Sequence, residues 1–146
     1  MPPNSKSITE STPGTTQFLN VDLDIFSKND LQPLVSALGE KVDVLHIGSH
    51  KRTYETHLEL GSYPSPKSPD RAIRDFCKLI QGLSTETREI WDTAKIRQLN
   101  IGIAKGAEPP VHWFAIEAET IKAAAEINAR IAVTIYPPYP EKEWEK

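Results

Sequence analysis

The chain has 146 residues and a mass near 16.3 kDa, the size of one domain. Seventeen Lys and Arg against twenty Asp and Glu leave a formal charge of −3, and 38% hydrophobic with 25% charged residues describes a globular chain rather than a disordered one. That balance argues against nucleic-acid binding, which needs a basic stripe; the single cysteine removes disulfide frameworks and multi-cysteine metal sites; and no apolar run is long enough to span a membrane.

Residues 1–17 hold three prolines and seven Ser or Thr and read as a flexible tail without the apolar core of a signal peptide. With one cysteine, the expected location is a reducing cytoplasm. Residues 18–26 (FLNVDLDIF) alternate Leu19, Val21, Leu23 and Ile25 with Asn20, Asp22 and Asp24, the period of a half-buried strand. Asn29 or Asp30 then caps a helix carrying Leu31, Leu34, Val35 and Leu38, with Pro33 in its first turn and Gly39 as its stop.

Residues 41–48 form a second strand and residues 53–60 a third, with Tyr54, Thr56, Leu58 and Leu60 on one side and Glu55, His57 and Glu59 on the other. A short connection containing Lys51 and Arg52 joins them as a hairpin. Residues 61–69 hold three prolines and a glycine and read as a loop. Ser68, Pro69 and Asp70 start a helix whose buried stripe is Ile73, Phe76, Cys77 and Ile80, which makes Cys77 a buried, inert thiol. After Gly82, Ser84 or Thr85 caps a shorter helix with Ile90, Trp91 and Ala94.

Residues 99–103 read as a fourth strand, residues 106–110 as a turn and residues 111–116 (VHWFAI) as a fifth strand. A helix follows over residues 118–127, with Ile121, Ala124 and Ala125 facing inward and Asn128 as its left-handed cap. Residues 130–136 (RIAVTIY) form a sixth strand, apolar on both faces apart from Thr134 and therefore internal in the sheet. Residues 137–146 are a proline-rich, charged tail in which Trp144 is free to dock. The order predicts a single α+β domain over residues 18–136. It starts as a ferredoxin-like βαββαβ unit and is extended by a βαβ unit, giving an antiparallel or mixed sheet with helices on one face.

No phosphate-binding loop, nucleophile elbow, helical zinc pair or paired-cysteine motif is present, so neither a catalytic residue nor a metal site nor a cofactor is assigned. His46 and His50 are four apart in a strand and turn, a spacing that does not build the helical zinc pair. Trp91, Trp113, Tyr54 and Tyr136 read as core or rim aromatics. The most suggestive constellation is polar: Asn20, Asp22 and Asp24 share one side of one strand, and Glu55, His57 and Glu59 share one side of another. Side chains two apart on a strand face lie roughly 6.5–7 Å from each other, so neighbouring strands would build one acidic surface.

The pattern formed by FLNVDLDI, the helix ending in ALG, SPDRAIRDFCKLI, LNIGIA and WFAIEAETIKAAAEINARIAVTIY resembles an uncharacterised bacterial family, a domain of unknown function. Some members of that family look like immunity-type proteins encoded beside toxins. The resemblance covers most of residues 18–136 and implies a small cytosolic α+β protein without a known reaction. Three functions follow. The first is a non-enzymatic protein-binding domain, immunity-like, that offers the acidic face to a basic partner surface. The second is a small-ligand-binding domain or enzyme with a pocket under the 61–69 loop and His57 or His46 as acid or base. The third is a homo-oligomeric structural subunit joined through exposed strand edges or the tail.

Overall fold

The computed structural model describes residues 14–61 and 66–137. The rest of the expected N-terminal tail, the centre of the 61–69 loop and the C-terminal tail with Trp144 lie outside the described residues. Among the described residues the chain runs β1 (Gln17–Ser27), α1 (Gln32–Leu38), β2 (Val42–His50), β3 (Thr53–Leu60), α2 (Pro69–Gln81), α3 (Thr85–Asp92), β4 (Ile96–Ala104), α4 (Ala118–Glu126) and β5 (Arg130–Tyr136). The expected α+β class holds. The five strands form one mixed sheet in the order β2-β3-β1-β4-β5, antiparallel throughout except for the parallel pair β4–β5. No helix is long and apolar enough to cross a membrane among the described residues.

Local chemistry explains most boundaries. Asp30 Oδ1 accepts a hydrogen bond from the Gln32 backbone N–H at 2.9 Å, Pro33 sits in the first turn of α1, and Gly39 leaves the helix at φ 59°, a conformation that disfavours any side chain. Ser68 Oγ accepts from the Arg71 N–H at 3.1 Å and Ser84 Oγ from the Thr87 N–H at 3.2 Å, so both hydroxyls cap α2 and α3 as expected. The β2–β3 hairpin turns through Lys51 and Arg52, both at positive φ (47° and 69°), as the tightest hairpins require. Residues 14–17 are tied to the chain further on: the Thr16 N–H donates to the Glu108 carbonyl at 3.0 Å, and Thr16 Oγ1 bonds both to the carbonyl and to the N–H of Gly106.

The alternation in β1 separates two environments. Val21, Leu23 and Ile25 are at most 3% exposed and join Leu34, Ile73, Phe76 and Ile80 of the helices in one buried cluster. Trp91 closes the far end of that core, fully buried, and donates its indole N–H to the Ile127 carbonyl at 2.8 Å. Cys77 lies inside the core, where burial pushes its thiol up to about 11, which keeps it protonated and inert.

Three expectations need correction. Residues 111–116 form no strand. The place beside β4 is taken by β5, and Pro109 and Pro110 bring the chain in without backbone donors. The segment is held instead by side-chain contact, with Phe114 against Phe18 at a ring separation of 6.2 Å, and Val111 and Trp113 stay 77% exposed. The last strand, expected inside the sheet, is an edge strand among the described residues. Its apolar character on both faces does not report central pairing, because β5 is the last strand placed and no later described segment flanks it. Finally, α4 turns Ala124 inward as expected, together with Thr120 and the following Ile127, but leaves Ala125 exposed and Ile121 52% exposed. An alanine-rich helix offers several apolar stripes, and packing on α2 selects among them.

Candidate functional site

The side of the sheet opposite Val21, Leu23 and Ile25 carries every residue of the expected polar constellation. Asn20, Asp22 and Asp24 alternate along β1 and Glu55, His57 and Glu59 along β3, and the register sets Asp24 directly across from His57. The two rows therefore merge into one surface. Its six side chains differ in exposure. Asp24 is buried at 7%, whereas the other five are intermediate.

His57 is the hub. Its Nδ1 lies 2.7 Å from Asp24 Oδ1 and its Nε2 2.9 Å from Glu55 Oε2. A carboxylate accepts hydrogen bonds, so this geometry favours the doubly protonated ring, which donates from both nitrogens. Burial pulls the His57 pKa down, but the hydrogen bonds to Asp24 and Glu55 and the charges of both carboxylates outweigh it and raise it. Phe26 packs edge-on against the ring at 5.7 Å. His46 sits across from His57 in the β2–β3 register, with the rings 5.9 Å apart.

The second half of the surface is a carboxylate pair. Asn20 Nδ2 donates to Asp22 Oδ1 at 3.0 Å and makes a short hydrogen bond to Glu59 Oε2. Asp22 is crowded by like charge. Burial first, then Glu59, then Asp24 push its pKa from 3.8 to about 6, against the opposing pull of His57.

The polar surface extends beyond these six residues onto β4 and β5. Gln98 of β4 donates to Asp24 Oδ2 at 3.0 Å and accepts from Arg130 Nε of β5 at 2.8 Å. A continuous chain of hydrogen bonds thus crosses four strands, from Glu55 through His57, Asp24 and Gln98 to Arg130. Thr134 Oγ1 donates to Asn100 Oδ1 at 2.9 Å in the next row. Alternation in residues 96–104 places Gln98 and Asn100 on one side, but only the β1–β4 and β4–β5 registers bring them to Asp24 and Arg130.

His57 is poorly placed for acid–base chemistry. Both nitrogens of His57 are engaged by neighbouring carboxylates, so neither is free to take a proton from a substrate. No three His, Cys, Asp or Glu side chains converge as metal ligands would, among the described residues. His50 lies at the hairpin end, and His112 packs on Phe114 at 4.8 Å, away from the polar face. Two hollows flank the 61–69 loop: one of about 190 Å³ lined by Phe18, Asn20, Glu59, Leu60, Pro66 and Ala72, and one of about 390 Å³ lined by Glu40, Lys41, Leu60, Gly61, Asp75 and Lys78, which does not include His57 or His46. Compared with known proteins, the chain matches no family model, no curated protein and no solved structure.

Proposed function

We propose that the chain is a non-enzymatic binding domain that presents the Asp22, Asp24, Glu55 and Glu59 surface to a basic protein partner, as an immunity protein presents its surface to a toxin. The observation that carries this reading is the acidic face: Asp22, Glu55 and Glu59 half-exposed on one side of two adjacent strands, with Asp24 buried beneath them, linked through His57 and Asn20. Prearranged charge speeds encounter and selects partners more than it adds affinity. Residues 17–104 support a ferredoxin-like βαββαβ reading through the order β2-β3-β1-β4 with antiparallel neighbours. In that reading the helices occupy the side of Leu23 and leave the carboxylate side open to a partner.

Glu55 and Glu59 are the residues to reverse, because Asp24 is a buried acceptor whose replacement would disturb the sheet. The test is affinity capture from the source cells with the wild-type chain and with Glu55→Lys/Glu59→Lys, followed by purification of the captured protein and a Kd series over salt. The expected partner is basic, binds the variant at least about tenfold more weakly, and associates more slowly as salt rises. Equal binding by the two chains would retire this face.

A further inference from the structure

The sheet has two edges, β2 and β5, and they are built differently. The β2 edge also exposes Val44, Leu45 and Ile47, but it is blunted: it carries Asp43 and is interrupted by a register shift between Val44 and His46. The β5 edge carries one charge, Arg130 at its first position, and no register shift. Between Arg130 and Tyr136 it reads Ile-Ala-Val-Thr-Ile, without charge, proline or bulge. Its outer N–H and C=O groups have no backbone partner among the described residues. The same strand also leaves apolar side chains uncovered. Ile131, Val133 and Ile135 are 37%, 58% and 62% exposed and form a cleft of about 600 Å³ with Trp113 and Phe114. An edge that is regular, uncharged along its middle and flanked by bare apolar surface is a template for another strand.

We propose that β5 and this cleft form the interface of a two-fold homodimer, in which two β5 strands pair antiparallel and join the two sheets into one. The occupant is a second copy because a strand edge is self-complementary under a two-fold axis. Antiparallel pairing also sets the two Arg130 side chains at opposite ends of the joint. The apolar side-chain area open at Trp113, Phe114, Ile131, Val133 and Ile135 is roughly 500 Å² per copy. The paired β5 backbones would add to this, against the ~800 Å² per partner of a standard stable interface. The inference is independent of the acidic face, yet it places two such faces on the same side of one continuous sheet.

The test is the mass of the full chain by size-exclusion chromatography with light scattering, from low to high micromolar concentration, together with hydrogen exchange of residues 130–136. A dimer is expected, with those amides slow to exchange and faster on dilution. Val133→Lys should be monomeric with an unchanged circular dichroism spectrum, while Ile47→Lys on the β2 edge should leave the dimer intact. Should Val133→Lys fail to fold, Trp113→Ser replaces it, since that side chain is 77% exposed and outside the core; it should raise the dimer Kd about tenfold or more. A wild-type monomer at every concentration overturns the proposal, as does a dimer that survives the β5 and Trp113 changes. Amides of 130–136 that are protected in a monomer and released by deleting residues 138–146 would overturn it in favour of the chain's own tail.

Discussion

Asp22 sits between two other carboxylates, and replacing it with asparagine should stabilise the protein. Its pKa of about 6 compares with 3.8 for an unstrained side chain, raised by burial, Glu59 and Asp24. The folded state therefore holds this proton more tightly than the unfolded state does. The stabilisation that follows is complete below about pH 4 and is lost as pH rises through about 6. A shift of about two units corresponds to a ceiling of roughly 3 kcal/mol. Asp22 is only half-buried, so solvent screening reduces the expected cost to about 1 kcal/mol. Asp22→Asn removes the charge but retains an oxygen for the 3.0 Å bond from Asn20 Nδ2. Urea unfolding should find the variant more stable by about 1 kcal/mol near pH 8, a gain that shrinks through about pH 6 and vanishes near pH 4. In thermal unfolding this is a rise of roughly 2–4 °C in Tm near neutral pH. A variant that is equally or less stable near pH 8, or a gain that does not change with pH, would refute the crowding argument.

The remaining predictions concern other parts of the chain. His57 has a raised pKa, so its contribution is present below the unfolded value of 6.5 and fades as pH rises through the folded value; in a pH series of chemical denaturation, His57→Gln should remove that component. Asp70 accepts from the Glu117 N–H at 2.9 Å and so ties the start of α4 to α2. Asp70→Ala should cost about 1 kcal/mol in urea unfolding, with Asp70→Asn costing less. Arg52 holds φ 69° without being glycine, and Arg52→Gly should gain about 0.5–1 kcal/mol or raise Tm correspondingly. Trp91→Phe removes the donor to the buried Ile127 carbonyl and leaves a void, which should cost roughly 2–4 kcal/mol in the same unfolding assay.

The sequence by itself determined what rests on short-range chemistry. Ser68-Pro69-Asp70 and Ser84 mark helix starts because a hydroxyl reaches an N–H three residues on, and those caps are in place. Alternation in β1 and β3 determined which carboxylates share a strand side, because the pleat sends successive side chains to opposite faces. Tertiary structure decided what depends on which strands meet. Asp24 finds His57 through one register and Gln98 through another, and no local pattern encodes either partner. The same dependence misplaced Val111 to Ile116 as a strand and β5 as an internal one. An apolar run states a need to be covered, whereas its position in the sheet is settled by which other segments arrive to cover it.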